Sequence, residues 1–420
     1  MSSEESEDSE DDELAVIAAG VVVFGVLEAD QRRRERRRLH RTYLTRPELL
    51  PNPRESTPWQ VLYASRSDRA FITTMGFDCD TFEKILTSGF TLAWNSTPIP
   101  RPDTNSNGAP RLGGRSLDSA GALGLVLHYL SSSMPSTSLQ QVFALIPTTV
   151  TRYIQFTLDI LLETLQSIPE AQIRWLQGTE FAEANALIVA RHPLLDGAFA
   201  SGDGLKLPVE TSSDPEIENA TYNGWLHHHF MSNVFAFSPT GVIIAAIINA
   251  PGSWHDAKTA RPLYVKLRDN TPDGYYLVAD TAFPRGNNRI AGRIRVPLKA
   301  GQHLPDDPQE RAELMRFDKQ LVSFRQTAEW GMRALQGSFG RLRVPMDIED
   351  DEGRANLIEV CVRLNNLRAI CVGINQIRNV YMPIWRQADD DLWFGFENML
   401  FADIRRRDRV ARFHAIDVVI

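Results

Sequence analysis

Four acidic side chains stand at positions from which strands and a helix could bring them to one metal site. Asp203 and Asp280 each end a predicted strand, Glu329 sits at the edge of a predicted long helix, and Asp256 follows a Pro-Gly break. Two aspartates on adjacent strands plus one helical acid can hold two divalent cations about 4 Å apart, an arrangement that drives in-line phosphoryl transfer. Hard oxygen ligands favour Mg²⁺ or Mn²⁺ over zinc. We therefore predict a two-ion carboxylate site.

Asp256 differs from the other three acids in its setting. The stretch "IINAPGSWHDAK" (247–258) is an apolar run that stops at Pro-Gly and then exposes Trp254, His255 and Asp256. A negative side chain suits a helix N-terminus, where it meets unpaired backbone amides. We therefore predict that Asp256 begins a crossover helix and serves as an accessory metal ligand at the rim of the site.

The elements around these acids predict an α/β domain. "DGAFASGDGLKLPVE" predicts a strand ending at Asp203, and the next strand reaches Phe237, turns at "SPTG" and returns as Gly241–Asn249. A helix and a strand ending at Asp280 follow. The strand 241–249 is almost uninterrupted Val, Ile and Ala, which predicts burial on both faces and helices on both sides of the sheet.

A long helix is predicted over residues 307–339. Its apolar stripe consists of Leu321, Phe324, Ala328, Met332 and Leu335. Arg325, Glu329 and Arg333 share another face at spacing i, i+4, i+8. The two arginines could bind DNA phosphates beside the metal, and a surface salt-bridge stripe is an equally open interpretation.

The segment 137–165 predicts a helix, a short turn and a second helix. This is the layout of a helix-turn-helix, whose second helix presents its first turn to DNA. The exposed contacts would be Thr148, Thr149, Thr151 and Arg152. The alternative is an ordinary helical hairpin in a core.

Zinc and disulfide chemistry are disfavoured by the sequence. In a strand, the three histidines 227–229 would alternate between faces, so at most two could reach one metal, and packing or hydrogen-bonding roles are favoured. The three cysteines have neither metal-ligand spacing nor a disulfide pattern, which indicates a reducing compartment.

Charge along the chain is unevenly distributed. Residues 1–13 carry eight acids and no base, so they account for the whole net charge of −8. They are expected to be disordered. Basic tracts at 32–38 and 405–412 suit nucleic acid or nuclear import, or are solvated helix faces. The apolar run 14–27 has 14 residues, fewer than the roughly 20 of a membrane span, so a short packed helix is favoured over an anchor.

Four sequence blocks together resemble a known family. "GDGLKLPVE", "GWLHHHFMSNVFAFSPTGVIIAAIINAPGSWHDAKTARPLY", "GYYLVADTAFPR" and "RQTAEWGMRALQGSFGRLRV" are similar, in order and spacing, to the Harbinger-type transposase nuclease domain of the DDE superfamily. The resemblance covers roughly residues 190–345, and "LQQVFALIPTTVTRYI" looks like the helix-turn-helix that precedes that domain.

The resemblance implies an RNase H-like mixed sheet, a carboxylate set that cuts DNA with Mg²⁺, and a preceding helix-turn-helix. Asp203 fills the first Asp position, Asp280 the second and Glu329 the Glu, and Asp256 fills the additional "HD" position near the same metals. DNA is the implied partner, and related transposases often work with a separate Myb-like DNA-binding protein. A homo-oligomer is compatible with this family.

We predict four regions: an acidic tail, apolar helix and basic linker (1–57), a helical domain with the helix-turn-helix (58–185), the nuclease domain (186–345), and a C-terminal helical region with a basic tail (346–420). The expected location is the nucleus, with some protein in the cytoplasm.

Two other functions compete with a nuclease. The first is a non-catalytic nuclear DNA-binding or scaffold protein that keeps the transposase fold, and the second is a membrane-tethered protein that uses residues 14–27. The intact acid set favours the enzyme, because adjacent carboxylates are costly without cations to balance them.

Overall fold

The computed structural model describes residues 43–101, 108–283, 290–299 and 301–382, with residues 28, 31–34 and 36 in addition. The acidic tail 1–13, the apolar run 14–27 and the basic tract 405–412 lie outside these residues. Within the described part of the chain, no helix is both long and apolar enough to cross a membrane.

Fourteen α-helices are described. In chain order they are α1 (Pro58–Ser65), α2 (Asp68–Met75), α3 (Cys79–Ile85), α4 (Thr91–Ser96), α5 (Ser119–Ser131), α6 (Ser136–Phe143), α7 (Pro147–Ser167), α8 (Glu180–Val189), α9 (Pro215–Thr221), α10 (Asp256–Thr259), α11 (Arg261–Asp269), α12 (Pro308–Ser338), α13 (Asp351–Leu367) and α14 (Gln376–Tyr381). The described strands are β1 (Ala198–Pro208), β2 (Tyr222–Asn223), β3 (His228–Phe237), β4 (Ile243–Pro251), β5 (Tyr276–Ala279) and β6 (Ile294–Arg295).

The chain divides into two compact units. As far as their residues are described, the first consists of 1–67, 91–129 and 134–157, and the second of 68–90, 130–133 and 158–420. The predicted boundaries at 57, 185 and 345 are not tested by this division and stay predictions.

The first unit is helical and closes around aromatic side chains. The Trp59 ring stacks on Phe143 at a centroid distance of 5.5 Å. It also lies directly on α5, where a Cβ at Gly124 would approach the indole to 2.3 Å. The small residue therefore allows the helix and the indole to meet.

Helices α6 and α7 occupy the segment predicted as helix, turn and helix. Ala144 ends α6 in the left-handed conformation, with φ of 52°, and α7 begins at Pro147. The two helices are confirmed as helices, and their role in DNA binding stays a prediction.

The second unit contains a mixed sheet. β1 pairs antiparallel with β3 and parallel with β5, β3 pairs antiparallel with β4, and β5 pairs parallel with β6. The short β2 pairs with the start of β3. The hairpin turn after Phe237 is confirmed. The predicted order strand, strand, strand, helix, strand holds for the longer strands, but α9 and β2 lie between β1 and β3.

Helices cover both faces of this sheet. On one face, α8 and α11 supply Phe181, Leu263 and Leu267, and Ala260 between α10 and α11 adds to the same core, which includes Val234 and Leu277 of the strands. On the other face, α12 and α13 pack, through contacts such as that of Gly331 with Phe237. The α/β class and the two-sided covering are confirmed.

Two strand predictions need correction. β1 does not end at Asp203 but continues to Pro208, because its pairing with β3 runs on after its pairing with β5 stops at Gly202. The apolar strand β4 pairs only with β3 among the described strands, so it lies at a sheet edge. Only its first three residues are buried, and the remainder is half-buried.

The edge strand is closed at its start by a helix side chain. The Asn366 amide of α13 accepts a hydrogen bond from the Ile243 amide (2.8 Å) and donates one to the Ile243 carbonyl (2.9 Å). Packing against helices explains why β4 is apolar although it lies at the edge of the sheet. Its first residues contact α13 on one face and the core on the opposite face.

Candidate active site

Asp203 lies in the middle of β1 between two glycines. A Cβ at Gly204 would lie 2.4 Å from Cγ of Asp256, so only glycine permits this close approach. Side chains alternate along a strand, so Ser201 and Asp203 face one way while Gly204 and Lys206 face the other. The Ser201 hydroxyl shares a hydrogen bond with Thr327 of α12, which places Asp203 on the α12 side.

The pKa of Asp203 is raised to about 6. Burial is the largest cause, because it disfavours the charged carboxylate, and the negative charges of Asp280 and Asp256 act in the same direction. The Gly204 amide, which donates to Oδ1 at 2.8 Å, and the Arg325 guanidinium act against the rise. Burial, aided by the two neighbouring carboxylates, therefore disfavours the charged form of Asp203.

Asp280 is placed beside Asp203 by the parallel pairing of β1 and β5. Gly202 is the register partner of Ala279, and Asp280 is the next residue after Ala279. Adjacent strands lie about 4.8 Å apart, so the two aspartates lie at the same level along two neighbouring strands. Asp280 is half-buried, and its charge contributes to the raised pKa of Asp203.

Helix α12 is held on the sheet by contacts on both sides of Glu329. Thr327 is fully packed against Ser201, and a Cβ at Gly331 would approach the Phe237 ring to 2.4 Å. The predicted stripe is confirmed, because each of its residues is buried: Leu321, Phe324, Ala328, Met332 and Leu335. Glu329 lies half-buried at its edge, as predicted.

Arg325 connects the helix to the strand. Its Nη2 lies 2.7 Å from Oε1 of Glu329, and its Nη1 lies 3.7 Å from Oδ2 of Asp203. The predicted i, i+4 ion pair thus exists, but Arg325 is shared with a buried aspartate instead of belonging to a surface stripe. Arg333, one turn beyond Glu329, is exposed.

Asp256 occupies the opposite side of β1. It is the first residue of α10, as predicted, and its carboxylate lies over Gly204. Its Oδ1 is buried and accepts no hydrogen bond from a described residue, while the ammonium of Lys206 lies 3.4 Å away. Lys206 itself donates to Ser232 Oγ (2.5 Å) and to the Trp254 carbonyl (3.1 Å).

These side chains meet one of the two requirements of a divalent-cation site, the type of donor atom but not its position. The donors are of the right kind, because they are carboxylates that include a buried oxygen without a hydrogen-bond donor and an aspartate with a raised pKa. Their conformations do not converge, however: no three His, Cys, Asp or Glu side chains among the described residues lie close enough to hold an ion. The separation has visible causes, since Arg325 holds Glu329 and β1 stands between Asp203 and Asp256.

A model of a known protein family matches the sequence of this region. Residues 202–366 match the family model of the DDE superfamily endonucleases. The match supports the superfamily that the sequence resembles, and it begins at the glycine before Asp203 and ends at Asn366 on α13. No curated protein and no solved structure matches the chain.

All four predicted acids lie within the DDE-matching segment. The structure brings Asp203 and Asp280 together on neighbouring strands and links Glu329 to Asp203 through Arg325. Asp256 is close enough to influence the pKa of Asp203 but lies across the strand. Endonuclease domains of the DDE superfamily generally use divalent metal ions.

The other predicted contacts lie elsewhere. The residues predicted as helix-turn-helix contacts belong to the first unit, where Thr148 and Thr151 are exposed and Thr149 and Arg152 are half-buried. Of the histidine triplet, His229 contacts Glu218 (3.0 Å) and Thr221 (3.0 Å).

Lys206 was missed by sequence reasoning. A lysine between two leucines in an otherwise apolar strand, three residues after a predicted catalytic aspartate, was the available signal in "GDGLKLP". It was overlooked because the strand was expected to end before it.

Proposed function

We propose that the protein is a Harbinger-type, metal-dependent DNA endonuclease in which Asp203, Asp280 and Glu329 form the DDE carboxylate set. The observation that carries this proposal is the placement of Asp203 and Asp280 at one level on adjacent parallel strands, within the segment that matches the superfamily. The proposal includes transposase-type strand transfer, because it uses the same phosphoryl-transfer chemistry.

An RNase H-like arrangement is part of the proposal. Three antiparallel strands, β1, β3 and β4, are followed by the parallel strands β5 and β6, and helices cover both faces. This arrangement supports the fold that the sequence resemblance implies.

The proposed chemistry assigns the three acids to cation binding. One or two Mg²⁺ or Mn²⁺ ions, when bound, would supply activation of the attacking oxygen and stabilisation of the leaving oxygen. Asp203 and Asp280 hold negative charge at one end of the strand pair, and Glu329 adds a third carboxylate from α12. Arg325, released from its two acids, would contact a DNA phosphate through its planar guanidinium.

Asp256 is proposed as an accessory carboxylate. Its unsatisfied Oδ1 and its position at the start of α10 support a role at the rim of the site. Its place across β1 supports the view that it contributes less than Asp203.

Plasmid nicking tests the proposal. With Mg²⁺ or Mn²⁺ the protein should nick supercoiled DNA, and EDTA, Asp203→Asn, Asp280→Asn and Glu329→Gln should each abolish nicking. Glu210→Gln removes an exposed acid just beyond β1 and should leave nicking intact. If the three variants cut as well as the parent, the site assignment is wrong.

A second function is favoured by one observation. Arg325 already forms ion pairs with both Asp203 and Glu329, and such pairing within the chain would help a DNA-binding or scaffold protein to keep the fold without a bound cation. Under this alternative, Mn²⁺ titration by calorimetry gives no binding heat that depends on Asp203, and DNA binding is equal in the parent and in Asp203→Asn.

The cellular setting follows from the same proposal. We propose DNA as the substrate, a nuclear location with some protein in the cytoplasm, and a separate Myb-like DNA-binding partner. Immunoprecipitation from nuclear extract, in which such a partner is either recovered or absent, tests the last point.

A further inference from the structure

The first unit contains a cavity lined by arginines. Its volume is about 830 Å³, within the range of cavities that bind small molecules. The loop before α5 and the first two turns of α7 form its walls, and the residues that matter for its chemistry are Arg101, Arg111, Arg115, Ser116, Thr149 and Arg152. We call this cavity the arginine pocket.

The charge of the arginine pocket is positive. Four arginines line it, and no acidic residue is among the described residues of its wall. Neither Arg111 nor Arg152 makes an ion pair with a described residue. A wall whose described residues include four arginines and no carboxylate attracts an anion, and guanidinium groups match the geometry of phosphate.

The wall of the arginine pocket is firmly held. Arg115 is only 7% exposed, donates to the carbonyls of Trp94 and Thr97, and lies 4.7 Å over the Trp94 ring. Its charge is thus solvated by neutral groups. The amide of Ser116 donates to the Tyr153 hydroxyl at 2.8 Å, which ties the loop to α7.

Helix α7 adds a further attraction for anions. Thr149 and Arg152 lie in its first two turns, where backbone amides carry partial positive charge. Helix N-termini bind phosphate through these amides. Pro98, Ile99 and Pro110 supply an apolar wall beside the arginines, which suits a sugar better than a bare ion.

We propose that the arginine pocket binds the sugar–phosphate backbone of a DNA strand. The pocket then positions the chain on DNA and does not read its sequence, since phosphate contacts carry no base information. This assigns Thr149 and Arg152 to the backbone, together with Arg101 and Arg111, whereas Thr148 and Thr151 do not line the pocket. The proposal concerns binding in the first unit and does not depend on cleavage.

Salt-dependent binding of the full chain to labelled duplex DNA, in EDTA to prevent cleavage, tests this proposal. Each phosphate contact adds about 0.9 to the slope of log affinity against log salt. Arg111→Gln combined with Arg152→Gln should therefore lower the slope by roughly 2 and weaken unrelated sequences equally. Arg69→Gln, an exposed arginine on α2, is the matched control and should change little. A double variant that behaves like the control overturns the proposal.

A second variant separates the cavity from general surface charge. Ala109 is an exposed residue of the wall, and Ala109→Trp would fill the opening without removing a charge. DNA binding should fall by about the same factor as in the double arginine variant, with thermal unfolding unchanged. If Ala109→Trp binds DNA as the parent does, the strand does not enter the cavity and the proposal is wrong.

Free nucleotides are the other source of the same chemistry. Under the proposal, ATP and inorganic phosphate compete with labelled DNA only at millimolar concentration. Micromolar ATP binding that is lost in the double variant, with DNA affinity unchanged, would identify a free nucleotide as the ligand and overturn the assignment to DNA.

Discussion

Both sides of β1 carry acidic and basic side chains, but the two sides differ in how many acids each basic side chain contacts. On the α12 side, one arginine is shared by two acids, Asp203 and Glu329, with Asp280 nearby. On the α10 side, one lysine serves one acid, Asp256, and two neutral oxygens also hold it. The α12 side therefore has an excess of negative charge and the α10 side does not. A cation is expected to be needed on the first side, whereas the second is already neutralised within the chain.

The largest expected difference is in cleavage. Asp203→Ala should reduce metal-dependent nicking by roughly 10³-fold or more, as when one member of a catalytic unit is removed. Asp256→Ala should cost only about 10–100-fold, the range for groups that support a metal site indirectly. Single-turnover rates on one DNA substrate compare the two variants. An equal loss would place Asp256 in the primary set.

The second-largest difference between the two sides is expected in how the free energy of unfolding depends on pH. The raised pKa of Asp203 means that the folded chain binds more protons than the unfolded chain between about pH 4 and 6. The free energy of unfolding should therefore fall as pH rises through this window, by up to about 3 kcal/mol for a shift of two units. Urea titrations in EDTA at pH 5 and pH 8 should show about half of this fall, because pH 5 lies in the middle of the window. Asp203→Asn should remove it and be more stable than the parent at pH 8, and a parallel loss in both proteins would contradict the assigned cause.

Gly204 tests the close contact that separates the two sides. A Cβ in Gly204→Ala would lie 2.4 Å from the Asp256 carboxylate, so Asp256 must move. We expect a loss of about 1–3 kcal/mol in unfolding free energy, typical of overpacking, and a loss of cleavage no larger than that of Asp256→Ala. Gly224→Ala, at a glycine in open space without a positive φ, provides the control. Unchanged stability in Gly204→Ala would show that the contact is loose.

The smallest effects should come from the basic residues. Lys206→Met removes the cation beside Asp256 and should cost about 1 kcal/mol, with little change in Mn²⁺ affinity. Arg325→Gln should instead raise Mn²⁺ affinity, because the arginine no longer competes for Asp203 and Glu329, and should raise the DNA concentration needed for half-maximal cleavage. Calorimetry measures the Mn²⁺ affinity of each variant. If Lys206→Met and Arg325→Gln bind Mn²⁺ equally well, the expected difference between the two sides is wrong.

The elements whose sequence repeats with a clear period could be predicted. The stripe of α12 placed Glu329 at its edge, and the turn before Gly241 fixed the hairpin of β3 and β4. Local sequence patterns failed to predict the features that tertiary contacts determine. The first strand was predicted to end at Asp203, yet it continues through Gly204, which is glycine because Asp256 lies against it.

The candidate site was predictable in its residues but not in its pairing. Strand ends and spacing indicated the four acids, whereas the bridge from Arg325 to Asp203 depends on the register between α12 and β1, which no local pattern specifies. The position of Asp256 across the strand depends likewise on how α10 folds back.

The hydrogen bonds of Asn366 have a consequence for solubility. An edge strand as apolar as β4 offers free amides and carbonyls to any other strand, and such edges promote aggregation. Asn366 occupies both polar groups of Ile243, so a second chain cannot extend the sheet at that point. A single side-chain amide thereby protects the start of an apolar edge from edge-to-edge association with another copy of the protein.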